Sequence, residues 1–142
     1  MPPERRAVVQ ARQAVMRQYD LALCRAATEH KSRESLKEKV HAAARIAVSR
    51  HASGLEVKSF VSRLVDVCDD PMAIKENLLF VIDSIMRHAE KEDGSVVKKF
   101  EKAFAPHLFT LFGACVQSST NRVEVATYLL KKLAAGPEMP SV

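Results

Sequence analysis

The sequence predicts an all-α fold, and three observations support this class. Apolar residues recur at spacings of three and four, as on one face of an α-helix. Alanine, leucine, lysine, arginine and glutamate are frequent, and all five favour helix. Only 4 glycines and 6 prolines interrupt the 142 residues. The length suits one domain with a core that needs neither metal nor disulfide.

The spacing of apolar residues predicts about seven helical segments. Ser32 is a good N-cap for the second segment, and Gly54 separates the second segment from the third. Pro71 is predicted to stand at the first position of the fourth, where proline is tolerated. The segments cover residues 4–29, 32 to about 49, 55–69, 72–90, 96–106, 106–118 and 121–136.

The later segments have equally clear limits. The run "EKEDGS" is a polar loop between the fourth and fifth segments, and Pro106 opens the sixth. Gly136 and Pro137 end the seventh. Residues 78–82, "LLFVI", are apolar nearly all round the fourth helix. This pattern predicts a central helix that packs on several sides.

The charge is concentrated in the first part of the chain. The net charge is +5, yet residues 1–50 hold 11 Lys/Arg against 5 acids. A basic half suits an anionic partner such as a phosphopeptide, RNA or a membrane surface. The apolar stretches fall far short of the roughly 20 residues that a membrane span needs, so no span is predicted.

The residues do not predict an enzyme. The 3 cysteines and 5 histidines lack metal-ligand spacing, so neither a metal nor another cofactor is expected. No Ser–His–acid set, glycine-rich nucleotide loop or pair of carboxylates is recognisable.

The stretch "NLLFVIDSIMRHA", residues 77–89, places Asp83 in the middle of an apolar run. A buried carboxylate without a partner is costly, so Asp83 is expected to have one. Arg87 lies four residues on, at the spacing of an ion pair within a helix. A bound ligand is the other possible partner.

The segment "KENLLFVIDSIMRHA" resembles the fourth helix of CTD-interacting domains, the modules that bind the C-terminal tail of the largest subunit of RNA polymerase II. "KSRESLKEKVHAAARIAV" resembles the second helix of that family, and "VVKKFEKAFAPHLFTLFGACV" its fifth and sixth. "NRVEVATYLLKKLAAGPEMP" is similar to its last helix. The likeness spans about residues 19–140 in order. It is closest to the domains of SR-related CTD-associated factors.

The resemblance implies a right-handed superhelix of about seven or eight helices, as in the related VHS and ENTH domains. Residues 19–137 would form this domain, 1–18 a basic helical extension and 138–142 a tail or linker. The implied function is non-catalytic. The domain would bind the polymerase tail in the nucleus, during transcription-coupled RNA processing or termination.

The resemblance also implies a peptide groove, in which Asp83 accepts a hydrogen bond from the tyrosine hydroxyl of the tail repeat. We call the implied residues the predicted groove: Ser32, Arg33, Leu36, Leu79, Phe80, Asp83, Ser84, Arg87 and Tyr128. Candidates for a phosphate contact are Arg33, Arg122, Lys131 and Lys132. Tyr128 stands where phosphoserine-reading members have an arginine, so the phosphoform that this chain reads stays open.

Two alternatives remain open from the sequence. The scattered arginines of "ERRAVVQARQAVMR" suit a VHS- or ENTH-like trafficking adaptor that binds peptide or anionic lipid. The basic first half also suits direct RNA binding, alone or beside a peptide groove.

Overall fold

The computed structural model describes residues 2–49, 57–92 and 94–118, and every regular element in these ranges is helical, which confirms the all-α prediction. The helices are α1 (Pro3–Thr28), α2 (Arg33–Ser49), α3 (Val57–Cys68), α4 (Lys75–Glu92), α5 (Gly94–Phe104) and α6 (Leu108–Ser118). A 3-10 turn, Ala105–His107, joins α5 to α6. The predicted seventh helix, 121–136, lies outside the described residues.

Helix α1 is one continuous helix that begins with proline at its first position. Its residues up to Gln13 are exposed, and burial begins in the following turn. The helix ends at Glu29, whose φ of −69° and ψ of 125° are extended. The Asn77 side chain of α4 donates to the carbonyls of Ala26 and Glu29, both at 2.9 Å. These bonds satisfy acceptors that a helix end leaves without a partner.

Helix α2 begins as predicted. The Ser32 hydroxyl accepts a hydrogen bond from the Ser35 N–H at 3.1 Å, which is the bond of an N-cap. Three alanines in the second half of α2 are fully buried: Ala43, Ala44 and Ala47. Small side chains such as these let neighbouring helices approach closely.

The predicted start of the fourth helix is wrong by three residues. Pro71 lies in a turn, and α4 begins at Lys75. The reason is local: the Asp70 carboxylate accepts the N–H of Met72 at 2.9 Å, an Asx turn that competes with helix. The Lys75 ammonium donates to the carbonyls of Cys68 and Asp70, which ties this turn to the end of α3.

Helix α4 is the centre of the described fold, as predicted, because it contacts α1, α2, α3, α5 and α6. The largest fully buried side chains around it are Tyr19, Phe60, Phe100, Leu23, Leu64, Leu78, Ile85 and Leu111. The Tyr19 ring meets Phe60 edge to face at 4.9 Å, and its hydroxyl donates to the Phe60 carbonyl at 3.1 Å. The only polar atom of this aromatic pair is therefore satisfied inside the core.

Two predicted limits at the end of the fold need correction. The loop predicted at "EKEDGS" is shorter, because α4 continues to Glu92 and α5 begins at Gly94. Pro106 stands inside the 3-10 turn, so the sixth helix begins at Leu108 rather than at the proline. Proline lacks an N–H and fits the first turns of a helix, which explains why the chain turns tightly there before α6 starts.

Candidate functional site

The outer face of α4 carries the central part of the predicted groove. The apolar run is not buried all round, because the Phe80 side chain is 42% exposed. Phe80, Asp83 and Arg87 follow one another at spacings of three and four, so they share one side of the helix. Single exposed apolar side chains are common, and Phe109 of α6 is 92% exposed, so Phe80 is of interest because the Asp83–Arg87 pair lies on the same side of the helix.

Asp83 is paired within its own helix. Its Oδ2 lies 3.2 Å from Nε of Arg87, and the two side chains are 23% and 65% exposed. The ion pair that the spacing predicted is therefore confirmed. The same exposures show that Asp83 stands at the margin of the apolar run, not beneath it. A ligand role for Asp83 remains a prediction.

The other described members of the predicted groove are in different settings. Leu79 and Ser84 are buried, and Leu36 is partly buried against the core. Ser32 and Arg33 are exposed at the start of α2. Tyr128 and three phosphate candidates (Arg122, Lys131 and Lys132) lie outside the described residues.

Helices α2 and α4 run side by side in the same general direction. Asn77, at the start of α4, bonds the Glu29 carbonyl just before α2. Further along, Ser84 of α4 meets His41 of α2. The exposed start of α2 therefore stands at the same end of the pair as Phe80. This arrangement places a helix N-terminus, which favours anions, near the aromatic side chain.

A cluster of two histidines and a serine, which we call the histidine cluster, bridges α2 and α4. It consists of His41, Ser84 and His88. The Ser84 hydroxyl lies 3.5 Å from Nδ1 of His41 and 3.4 Å from Nδ1 of His88. The two rings are 5.4 Å apart between centroids and inclined by 63°. The sequence analysis missed this cluster.

The hydrogen bonds of the histidine cluster indicate where the ring hydrogen of His88 stands. Nδ1 of His88 lies 2.8 Å from the Ser84 carbonyl oxygen, which can only accept, so Nδ1 of His88 carries a hydrogen. The Ser84 hydroxyl can then donate to Nδ1 of His41. In neutral His88 the Nε2 atom is therefore an acceptor, whereas the contact with the Ser84 hydroxyl fits either tautomer of neutral His41.

Partial burial lowers the pKa of His41 below its ordinary value, and the nearby His88, Lys37, Arg45 and Lys91 lower it further. His41 is therefore neutral at pH 7. The signal for this cluster in the sequence was weak. Ser84 and His88 are four apart on one helix, but the position of His41 beside them depends on how α2 packs against α4.

A second polar junction, also missed, lies at the end of α1. The Glu29 side chain is only 4% exposed and its Oε2 lies 2.9 Å from Nζ of Lys39. The Ser35 hydroxyl and the Lys39 ammonium lower the pKa of Glu29 to about 2. Glu29 was taken in the sequence as the last residue of a helix, so nothing in the local pattern marked it as buried.

A basic cleft of about 450 Å³ lies between α1 and α3. Arg12, Lys58 and Arg63 contribute its positive charge, beside Ser59 and Ser62. Arg63 is partly neutralised, because its guanidinium lies 3.6 Å from the Asp20 carboxylate. Only Arg12 of these three cations belongs to the basic first half of the chain, and Asp66 of α3 adds an acid to the lining. The cleft is separate from the predicted groove.

No protein-family model, curated protein or solved structure matches the chain, so its function must be argued from its own residues. Within the described ranges, no group of three His, Cys, Asp or Glu side chains could hold a metal ion. None of the described helices is long and apolar enough to cross a membrane.

Proposed function

We propose that this chain is a non-catalytic module that binds the C-terminal repeat tail of RNA polymerase II, in unmodified or phosphorylated form. In this proposal the chain acts in the nucleus, in transcription-coupled RNA processing or termination. In this proposal the chain would form a right-handed superhelix of about seven or eight helices, of the kind found in CTD-interacting, VHS and ENTH domains. The proposal extends the resemblance of five chain segments to the CTD-interacting family.

One observation carries the proposal. Helix α4 packs against five other helices, yet it keeps Phe80 exposed beside the Asp83–Arg87 pair. An aromatic side chain next to a partly exposed carboxylate fits a tyrosine, whose ring packs and whose hydroxyl donates. Arg87 orients the carboxylate. Arg33, at the nearby start of α2, is suited to a phosphate.

The groove is suited to an extended peptide better than to a folded partner. The tail is disordered when free, and ordering it costs part of the contact energy, so the affinity should be modest. Specificity would come from a hydrogen bond between a ligand hydroxyl and Asp83, which a ligand without a hydroxyl cannot form.

The test is a titration of ¹⁵N-labelled protein with four tail peptides: one unmodified, and one phosphorylated at each of three serine positions of the repeat. We expect shifts at Arg33, Leu36 and residues 79–87. Asp83→Asn should weaken binding by about tenfold, since a hydrogen bond to a charged group contributes roughly 1.5–3 kcal/mol. Asp20→Asn is the matched control, because Asp20 also pairs with an arginine but lies on α1.

Two outcomes would contradict the proposal. If all four peptides leave the spectrum unchanged at millimolar concentration, the chain does not bind the polymerase tail. If Asp83→Asn and Asp20→Asn both bind like wild type, the groove does not use Asp83 as an acceptor.

The exposed first half of α1 favours one second candidate, a contact with anionic lipid. Val8 and Val9 are exposed there, beside Arg5, Arg6 and Arg12. Apolar and basic side chains on one exposed helix are typical of helices that lie at a membrane interface. Co-sedimentation with phosphatidylserine vesicles tests it. An Arg5→Gln, Arg6→Gln variant that sediments like wild type would contradict it.

A further inference from the structure

The histidine cluster has the composition of an anion site. His41 and His88 are half-buried, and their rings lie against each other across the α2–α4 contact. Two imidazoles at this distance disfavour each other's protonation, because two positive charges would repel. A negative ion bound beside the two rings, where the half-buried imidazoles reach the surface, would lower that cost. Within the described residues they lack the third ligand that a metal would need.

The surroundings of the cluster are cationic on both helices. Lys37 and Arg45 stand four residues before and after His41 on α2, and Lys91 stands three residues after His88 on α4. All three are exposed, and all three act electrostatically on His41. We call them the basic rim. These three cations and His88 lower the pKa of His41. Two exposed acids also flank the cluster on the same helices, since Glu38 stands three residues before His41 and Glu92 four residues after His88.

The hydrogen-bond pattern shows which atoms are suited to an anion. In the tautomer whose Nδ1 accepts a hydrogen bond from Ser84, neutral His41 carries its ring hydrogen on Nε2 and can donate it to an anion. His88 has Nδ1–H committed to the Ser84 carbonyl, so its Nε2 must first take up a proton. A dianion with several acceptor oxygens would therefore bind with uptake of a proton.

We propose that the histidine cluster and the basic rim form a phosphate-binding site whose affinity rises as the pH falls. The proposal deepens the proposed function and rests on it for the source of the phosphate, a phosphoserine of the tail peptide. Ser84 belongs to both the cluster and the predicted groove, so the site lies beside the peptide. It would supply a phosphate contact in a chain that has Tyr128 where an arginine is expected.

The test observes the histidine ring signals by NMR and uses three probes: sulfate, inorganic phosphate and the phosphorylated tail peptides. Sulfate stays dianionic across the range, so any pH dependence of its binding reports on the protein. We expect sulfate to bind severalfold more tightly at pH 6.0 than at pH 7.5, because sulfate binds a protonated imidazole of the cluster better than a neutral one. The signals of His41 and His88 should shift together.

The variants separate the cluster from general electrostatics. His41→Gln with His88→Gln should abolish the pH dependence, while His30→Gln, an exposed histidine outside the cluster, should leave it unchanged. Lys37→Gln keeps the cluster and removes one rim charge. It should weaken sulfate binding severalfold and retain the pH dependence. This variant tests the site even if the double histidine variant does not fold.

The outcomes distinguish this proposal from the proposed function. If phosphorylated and unmodified peptides bind equally at both pH values, with shifts near Asp83 but none at His41 or His88, the phosphate site is overturned and the peptide function stands. If sulfate and phosphate bind as expected but no peptide does, the site is supported and its source is not the polymerase tail. Histidine signals unmoved by sulfate and by phosphate would overturn the site outright.

Discussion

Glu29 and Asp83 are both carboxylates paired with a cation, and they stand in opposite settings. The Glu29 side chain is 4% exposed and pairs with Lys39, ten residues away on the next helix. The Asp83 side chain is 23% exposed and pairs with Arg87 on its own helix. The Glu29–Lys39 pair therefore links the end of α1 to α2, whereas the Asp83–Arg87 pair lies entirely on α4.

The difference indicates which pair can serve a ligand. Moving Glu29 from Lys39 would leave a buried charge without its partner, which is strongly unfavourable. Asp83 can turn toward a bound hydroxyl and lose little, since exposed ion pairs within a helix contribute only about 0.3–0.5 kcal/mol. The buried pair is therefore suited to structure and the exposed pair to recognition.

The largest effect is expected at the junction that encloses the buried pair. Asn77→Ala removes the donor from two carbonyls at the end of α1. A buried acceptor left without a donor costs about 1–3 kcal/mol, and the Ala26 carbonyl keeps its bond from the Glu29 N–H, so the free energy of unfolding should fall by about 2 kcal/mol. Urea unfolding measures it, with Glu90→Ala, an exposed change on the same helix, as the control. A loss below about 1 kcal/mol would mean that water replaces the amide.

The next effect is a pH dependence that belongs to the buried pair. The pKa of Glu29 is lowered from 4.5 to about 2, so this carboxylate stabilises the fold above pH 4.5. That contribution is lost as the pH falls toward 2, because the unfolded chain takes up the proton first. Glu29→Gln should therefore be less stable than wild type at pH 6, and the two should converge near pH 2.

Urea unfolding at a series of pH values measures this convergence. Glu34→Gln is the control, since Glu34 is exposed in the first turn of α2. Its curve should run parallel to that of wild type. If the Glu29→Gln curve also runs parallel to that of wild type from pH 6 to pH 2, the contact with Lys39 does not lower the pKa of Glu29 in the folded protein.

The two pairs also show how far the sequence could predict the molecule. The Ser32 cap and the Asp83–Arg87 pair were predicted correctly, because each depends on residues three or four apart. Glu29 with Asn77, and His41 with His88, depend on which helices meet and at what register. No local spacing carries that information, so both clusters were missed.

The prediction for the start of α4 was wrong for a different reason. Asp70 and Pro71 are typical of a helix start and also of a turn. The hydrogen bond from the Met72 N–H to the Asp70 carboxylate stabilises the turn. For Phe80 the two predictions differ: the apolar run predicts burial nearly all round the helix, whereas the family resemblance implies a groove residue, and Phe80 is 42% exposed. Whether a face of such a run is covered depends on the neighbouring helices, not on the run.

The smallest effect on stability is expected at the Asp83–Arg87 pair. Asp83→Asn, Arg87→Gln and the double variant form a cycle whose coupling energy should be about 0.5 kcal/mol or less, because both side chains contact water. The same Asp83→Asn change is expected to weaken peptide binding about tenfold. A large loss of binding with a small loss of stability indicates a residue that recognises a ligand. A coupling above about 1.5 kcal/mol would instead give Asp83 the structural role that Glu29 has, and the distinction between the two pairs would fail.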